Sequence, residues 1–199
     1  MIDAEHVLIV GPSGGGKTTH ARRLHAEHGG PSMFLTPDPG ETTAEDDPGS
    51  YKYVRSPARY ASDIAAAREW ARRADAPVQV IVDEAQDAPS FVDGEGPLRD
   101  GLHRDRKAGV KWVVLTQNPM DLRTKENGYG PVQQAEYWVF CGPLRDWHVG
   151  FLNGNNLSGL IDLMPTEDYE YVVIRPVASL SPADKVVYRG TTDRRFADG

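Results

Sequence analysis

The stretch that most constrains this fold is residues 11–18, Gly-Pro-Ser-Gly-Gly-Gly-Lys-Thr, which matches the pattern G-x-x-x-x-G-K-[ST]. Residues 6–10 before it are apolar and predict a buried strand, and residues 19–27 after it predict a helix. Glycines leave no Cβ to obstruct a phosphate, and a helix N-terminus offers unpaired N–H groups. The order strand, loop, helix therefore predicts a phosphate-binding loop rather than an ordinary glycine-rich turn.

This loop predicts the contacts that a bound nucleoside triphosphate would make. Lys17 is expected to reach the β- and γ-phosphates, and Thr18 is expected to offer its hydroxyl to Mg²⁺. We expect ATP and Mg²⁺ as the ligands. The full set of expected nucleotide-binding residues is Gly11, Pro12, Ser13, Gly14, Gly15, Gly16, Lys17, Thr18 and Thr19.

Two adjacent acids, Asp83 and Glu84, follow the apolar residues 78–82. A hydrophobic strand that ends in such a pair resembles a Walker B element. Asp83 would then hold Mg²⁺ through its water shell, and Glu84 would polarise a water that attacks the γ-phosphate. The alternative is a strand that ends in two solvated acids, which the phosphate-binding loop upstream disfavours. The acid pair favours hydrolysis over phosphate transfer, and the chain has no Asn-Lys-x-Asp guanine-recognition motif.

Gln117 follows another apolar segment, residues 112–116, and is our candidate sensor of the γ-phosphate and the attacking water. The alternative is a polar strand end without a catalytic role. We expect the strands at residues 6–10 and 78–82 to lie side by side, so that the loop and the acids share one Mg²⁺–triphosphate.

Basic residues between the acid pair and Gln117 suggest an arginine that neutralises transition-state charge in a neighbouring subunit, as in ring ATPases. Arg106 is the first choice and Arg104 the second. A solvated basic helix end, favoured by the helix dipole, is almost equally well supported.

Short apolar segments alternate with helical segments along the chain, which predicts an α/β fold with a mostly parallel sheet. We expect one domain over residues 1–190, an exposed acidic loop over 37–50 and a frayed tail over 191–199. The expected strands are 6–10, 32–36, 51–55, 78–82, 112–116, 136–141, 169–174 and 185–189, and the expected helices are 19–28, 57–74, 96–108, 145–152 and 157–163.

Composition excludes several classes of protein. No apolar run approaches the roughly 20 residues that a membrane helix needs. The net charge of −7 argues against a uniformly basic nucleic-acid surface, so any DNA contact must come from a local patch.

The single cysteine, Cys141, excludes an internal disulfide and is expected to be a core thiol. Tyr137, Trp138 and Trp147 are expected to pack in the core.

Together these motifs resemble those of the FtsK–HerA superfamily of DNA-pumping ATPases. The resemblance covers the loop at residues 11–18, Val-Asp-Glu-Ala at 82–85, Arg-Lys-Ala-Gly-Val at 106–110 and Leu-Thr-Gln-Asn-Pro at 115–119. The superfamily typically shows an Arg, a Gly, a hydrophobic strand and then Thr/Ser-Gln-x-Pro, in the same order and at close spacing. The chain's compact length most resembles the genome-packaging ATPases of membrane-containing icosahedral viruses.

That resemblance implies a RecA-like P-loop NTPase of the additional-strand, catalytic-Glu type, with a mostly parallel central sheet flanked by helices. It also implies a homo-oligomeric ring, hexamer favoured, that threads double-stranded DNA into a preformed capsid. Capsid or membrane vertex proteins would be further partners, and the protein would work in the host cytoplasm or with the virion. The candidate DNA-binding residues are Arg99, His103, Arg104, Arg106, Lys107 and Lys111, with Arg123 and Lys125 as a second group.

Other functions stay open at this level. Asp-Glu-Ala-Gln at residues 83–86 is also similar to superfamily 1 helicases and to filamentous-phage assembly ATPases. An assembly or secretion ATPase is therefore the main alternative. A nucleotide or small-molecule kinase also fits a P-loop domain of this size, but it would not need the acid pair together with Thr-Gln.

Overall fold

A computed structural model of the protein describes residues 5–36, 51–53, 57–74, 76–87, 97–122 and 132–192. The strands are β1 (Val7–Val10), β2 (Ser32–Thr36), β3 (Tyr51–Tyr53), β4 (Val78–Val82), β5 (Val110–Thr116), β6 (Tyr137–Cys141), β7 (Glu170–Ile174) and β8 (Val186–Thr191). The α-helices are α1 (Lys17–Glu27), α2 (Pro57–Arg73), α3 (Pro97–Arg104), α4 (Asp146–Gly154) and α5 (Pro182–Lys185). Short 3₁₀ helices lie at Ala85–Asp87, Arg106–Ala108, Pro119–Leu122, Val132–Gln134 and Ser158–Leu163.

Among these residues the strands form one sheet in the order β3-β2-β4-β5-β1-β6-β7-β8. The pairings from β3 to β6 are parallel, and the last two pairings, β6 with β7 and β7 with β8, are antiparallel. β1 and β4 are apolar almost throughout and buried along their whole length, as strands covered on both faces must be. The expected α/β fold with a mostly parallel sheet is confirmed.

The expectation that β1 and β4 lie side by side is wrong, because β5 lies between them. Ile9 of β1 pairs with Leu115 of β5, and Ile81 of β4 pairs with Val113 of β5. The three strands are about equally apolar, so their composition does not rank their order in the sheet. All three remain parallel, and their carboxyl ends still meet at one edge.

Helices cover the two faces of the sheet. Ala21 of α1 packs with Ile9 and Phe34 on one face, whereas Ile64 of α2 and Phe151 of α4 belong to the core on the other. The thiol of Cys141 is buried, and burial raises its pKa to about 12, as expected for a core cysteine. None of the helices in the described ranges is long and apolar enough to cross a membrane.

Several boundaries differ from the sequence-based expectations. The helix expected to reach residue 108 ends at Arg104, and Gly109 closes the following turn with a φ of 77°. β5 consequently begins at Val110, before the expected residue 112. β8 continues to Thr191 and Thr192 is buried, so the expected tail does not begin at 191. The acidic loop at 37–50, Arg123 and Lys125, and residues 193–199 lie outside the described residues, and the single domain stays a prediction.

A hydrogen-bond network joins the amino ends of β1, β5 and β6. His6 precedes β1, and its ring nitrogen Nδ1 accepts from the backbone N–H of Trp112 in β5. The backbone N–H of His6 donates to the Glu136 carboxylate, before β6. Burial, with the positive charge of Arg106 nearby, lowers the pKa of His6 to about 4, so the ring is a neutral acceptor at neutral pH. The network aligns the strands whose opposite ends carry the candidate site.

An ion pair between α2 and the turn before β5 also stabilises the fold. The guanidinium of Arg68 in α2 donates to both carboxylate oxygens of Asp105, at 2.6 and 3.0 Å, and the Asp105 side chain is 1% exposed. Removing one partner of a buried pair leaves an uncompensated charge, which is the costly case. The pair therefore ties α2 to the turn that precedes β5.

We expect Arg68→Met to lower the free energy of unfolding by about 3 kcal/mol, because the buried Asp105 carboxylate loses its main partner. Adding Asp105→Asn should recover part of this loss. Arg73→Met is the matched control: it removes an exposed pair with Glu69 and should cost less than about 0.5 kcal/mol. Urea denaturation measures all three, and equal losses for Arg68→Met and Arg73→Met would contradict the argument.

Candidate active site

The glycine-rich loop runs from the end of β1 to the start of α1 and passes close to the end of β6. A Cβ on Gly11 would lie 2.1 Å from the carbonyl oxygen of Cys141, so this position requires glycine. Gly16 has a φ of 91°, and its carbonyl accepts from the N–H of His20 in the first turn of α1. The loop thus enters the helix with its backbone N–H groups at the carboxyl edge of the sheet.

We expect Gly11→Ala to destabilise the protein by about 2 kcal/mol and to weaken nucleotide binding, because the methyl group would push the loop away from β6. Gly150→Ala is the control, since Gly150 lies in α4 and a Cβ added there would meet no atom of the described residues within 4 Å. That variant should be stabilised by about 0.5 kcal/mol and bind nucleotide normally. Thermal unfolding and titration with a fluorescent ATP analogue measure both effects.

Lys17 is the first residue of α1, and its side chain folds back into the loop. It is 5% exposed, and its Nζ donates to the carbonyl oxygen of Pro12 at 3.0 Å. Burial lowers the pKa of Lys17, while the negative charges of Glu84 and Asp83 oppose this shift. The ammonium group is therefore held inside the loop and close to both acids, which is where a triphosphate would need a positive charge.

Thr18 and Asp83 come together across β5. The hydroxyl of Thr18 donates to Asp83 Oδ2 at 3.2 Å, and Asp83 Oδ1 accepts from the N–H of Glu84 at 2.9 Å. Asp83 is 3% exposed, and burial raises its pKa to about 7, with the charge of Glu84 contributing. A hydroxyl and a buried carboxylate are oxygen ligands of the kind that Mg²⁺ prefers.

This pair fits Mg²⁺ better than it fits a metal held by protein ligands alone. Within the described ranges, no three His, Cys, Asp or Glu side chains are grouped so that they could hold one ion. Mg²⁺ commonly keeps several waters and takes its remaining ligands from substrate phosphates, so one carboxylate and one hydroxyl are sufficient.

Glu84 is held from two sides. Its Oε1 accepts from Gln117 Nε2 at 2.8 Å, and its Oε2 accepts from Gln86 Nε2. Its backbone has a φ of 44°, a left-handed conformation that is rare for a residue other than glycine and costs about 1–3 kcal/mol. Strain that persists at a charged residue next to a buried carboxylate is typical of functional sites.

The structure therefore brings five of the expected site residues to the carboxyl edge of β1, β4 and β5. The loop supplies Lys17 and Thr18, and the neighbouring strands supply the two acids and the glutamine. These five are Lys17, Thr18, Asp83, Glu84 and Gln117. Their catalytic and metal-binding roles stay predictions, and the structure shows that an ammonium, a hydroxyl, two carboxylates and an amide are gathered at one edge of the sheet.

The candidate arginines lie elsewhere. Arg106 precedes β5 and forms an ion pair with Glu136, and Arg104 is the exposed last residue of α3. Seven residues of β5, about 20 Å of strand, separate this end of the sheet from Gln117. Neither arginine belongs to the nucleotide site of its own chain, so either would act only on a neighbouring subunit.

Two features of the site were not found from the sequence. Gln86 binds Glu84, and the first turn of α4 contacts the backbone of Gln117 through Trp147 and His148. Trp138 is buried as expected, but the expectation of core packing is wrong for Trp147, which is 44% exposed. In the sequence, Trp147 and His148 only indicate the start of a helix. Their contact with Gln117 could not be predicted, because it depends on how α4 packs against the end of β5.

Comparison with known proteins supports the fold. The structure is similar to that of B204, the DNA-packaging ATPase from Sulfolobus turreted icosahedral virus, with 13% identity, a TM-score of 0.67, and 96% of this chain and 98% of that chain covered. B204 from Sulfolobus turreted icosahedral virus 2 in complex with ATP-γS is similar at a TM-score of 0.65 and 13% identity, over 97% of this chain and 98% of that chain.

Other similar structures belong to different systems. The N-terminal domain of zonular occludens toxin from Neisseria meningitidis has 18% identity and a TM-score of 0.55, with 99% of this chain and 98% of that chain covered. The cytoplasmic domain of the type VII secretion ATPase EccC from Thermomonospora curvata has 14% identity and a TM-score of 0.63, over 96% of this chain and 24% of that chain. No protein-family model and no curated protein matches the sequence.

The chain therefore has the fold of the P-loop ATPases. At the level of fold, the resemblance to FtsK–HerA-type packaging ATPases is confirmed, and the structures that carry it span almost the full length of both chains. At these sequence identities the comparison concerns the fold alone.

Proposed function

We propose that this protein is an ATP-hydrolysing motor that moves double-stranded DNA into a preformed viral capsid. The observation that carries the proposal is the meeting of Lys17, Thr18 and Asp83 with the Glu84–Gln117 pair at one edge of the sheet. The first three are suited to hold a magnesium-bound triphosphate, and the pair is suited to place a water beside it.

In the proposed mechanism the loop N–H groups and Lys17 bind the phosphates. Thr18 and Asp83 would hold Mg²⁺, which would neutralise phosphate charge. Glu84 accepts a proton from the attacking water, and Gln117, which is within hydrogen-bond distance of Glu84, orients that water. The carboxylate of Glu84 accepts from both Gln117 and Gln86, which fixes its orientation.

The Glu84–Gln117 pair argues for hydrolysis rather than for a kinase. A kinase transfers the phosphate to an acceptor and must keep water out, whereas a carboxylate paired with an amide at the γ-phosphate is suited to activate water. B204, whose fold this chain shares, is described both as a DNA-packaging ATPase and as a genome-packaging NTPase.

DNA is the proposed cargo because B204 acts on DNA and because its fold matches this chain over almost its whole length. A packaging motor must bind any sequence, so its contacts should be salt-sensitive and made to phosphates. Arg104 and Lys107 are exposed near the amino end of β5, at the opposite edge of the sheet from the proposed nucleotide site. They are candidate phosphate contacts, and Arg123 and Lys125 stay candidates from the sequence.

The test is ATP hydrolysis with and without double-stranded DNA. We expect duplex DNA of any sequence to stimulate turnover, and the stimulation to fall steeply with salt concentration. Glu84→Gln should lower kcat by about 10³-fold and leave ATP affinity nearly unchanged, because the amide cannot accept the proton. Asp87→Asn, an exposed acid three residues further on, is the control and should be close to wild type.

The outcomes separate the proposed motor from its alternatives. Hydrolysis that DNA does not stimulate would favour the assembly or secretion class, which includes structural neighbours such as the secretion ATPase EccC. Transfer of phosphate to a small molecule, without hydrolysis, would contradict the proposal and favour a kinase.

We further propose that the protein works as a homo-oligomeric ring, with a hexamer favoured, and that Arg106 completes the site of the next subunit. Arg106 is paired with Glu136 within its own chain, so it would have to exchange that partner for a phosphate across the interface. Its side chain is 43% exposed, which leaves it accessible from outside. Arg104 is the second candidate.

We expect Arg106→Ala to lower kcat by about 10³-fold without loss of ATP affinity. Mixing inactive Arg106→Ala with inactive Glu84→Gln should restore turnover, because a Glu84→Gln subunit can supply the arginine to an intact neighbouring site. Arg73→Ala, which removes an exposed arginine of α2, is the control for charge loss. Full activity of Arg106→Ala would exclude this residue, and the same mixing experiment then applies to Arg104→Ala.

A further inference from the structure

The backbone carbonyl of Gln117 is bound by the first turn of α4. His148 is fully buried, with its Nε2 lying 2.8 Å from Gln117 O and its Nδ1 lying 2.9 Å from the backbone nitrogen of Arg145. Trp147 Nε1 is 3.3 Å from the same carbonyl oxygen. Gln117 is therefore contacted through its side chain by Glu84 and through its backbone by α4.

The hydrogen bonds define the state of the His148 ring. The N–H of Arg145 is a donor, so Nδ1 must be the acceptor and the proton must be on Nε2. Nε2–H then donates to Gln117 O. Trp147 Nε1 also lies 3.2 Å from His148 Nε2, but a protonated Nε2 cannot accept, so the indole N–H donates to Gln117 O. Burial lowers the pKa of His148, which keeps this neutral tautomer.

Gln117 needs such support because it lies just beyond β5, where the sheet no longer fixes the backbone. The residues on either side of Gln117 have their own hydrogen bonds. Thr116 Oγ1 donates to Asn118 O, and Asn118 Oδ1 accepts from the N–H of Met120. These bonds hold the chain on both sides of Gln117 but not its own carbonyl. The two donors of α4 are the contacts described for that carbonyl.

We propose that His148 is a positioning residue for Gln117: its Nε2–H fixes the Gln117 carbonyl and thereby directs the Gln117 side chain to Glu84. The inference rests on the proposed hydrolysis of ATP. α4 follows β6, which pairs with β1 on the side away from β5. His148 therefore connects the end of β5 with the segment that follows β6, on the other side of the phosphate-binding strand.

Two polar substitutions separate this role from simple capping of α4. In His148→Gln the amide nitrogen can take the place of Nε2 and still donate to Gln117 O. In His148→Asn the side chain can take the place of Nδ1 and still accept from Arg145, but it is too short to reach Gln117. Positioning predicts kcat within about 3-fold of wild type for Gln and about 30-fold lower for Asn, with ATP affinity nearly unchanged in both. A capping role predicts the reverse order.

The decisive readout is a double-mutant cycle with Gln117→Ala. If His148 acts through the Gln117 side chain, His148→Asn should lower kcat in the wild-type background and have no further effect in the Gln117→Ala background. Equal effects of His148→Asn in both backgrounds would overturn the inference, as would wild-type kcat for His148→Asn.

Trp147→Phe gives the same test if the His148 variants do not fold, because Trp147 is largely at the surface. It removes the longer hydrogen bond and should lower kcat by about 3-fold, again only when Gln117 is present. An equal loss without Gln117 would count against the inference. Failure of the proposed function is distinct, because the wild-type protein would then show no ATP hydrolysis at all.

Discussion

The candidate site depends on the parallel pairing of β1, β5 and β4. Parallel strands end at the same edge, so the loop after β1 meets the acids after β4, and those acids meet the glutamine after β5. The hydrogen-bonded pairs Thr18–Asp83 and Glu84–Gln117 are 65 and 33 residues apart in the chain. β5 keeps the loop and the acids one strand apart, and this spacing leaves room for Gln117 between them. An antiparallel β5 would place Gln117 at the other edge of the sheet.

The same edge concentrates charges that would be costly separately. Asp83 and Lys17 are both buried. Burial raises the pKa of Asp83 and lowers the pKa of Lys17, and both shifts favour the neutral form. The charges of the two acids favour the ammonium of Lys17, and Lys17 in turn favours the ionised form of Asp83. A triphosphate with its cation would fit this arrangement, because it would bring negative charge to Lys17 and positive charge to Asp83.

The two ends of the sheet have different chemistry. The carboxyl edge carries the glycine loop, the acids and Gln117, whereas the amino ends of β1, β5 and β6 are joined by His6, Glu136 and Arg106. The exposed basic residues of the turn before β5 lie at this second end. A proposed trans-acting arginine therefore starts far from its own nucleotide site, which makes assembly a requirement for the proposed turnover rather than an addition to it.

The glycine-rich loop, the acid pair, Gln117 and the α/β class could all be predicted from the amino-acid sequence. The first three depend on residues that are neighbours in the chain, and the α/β class follows from the alternation of apolar and helical segments. Gly11 to Thr18 and residues 78–84 are local patterns whose chemistry follows from residue type and spacing. The folded structure was needed to show that β5 separates β1 from β4, that Trp147 is exposed and that His148 contacts the Gln117 carbonyl. Strand order and helix docking depend on packing between segments distant in sequence, and equally apolar strands carry no local signal of which neighbour they will choose.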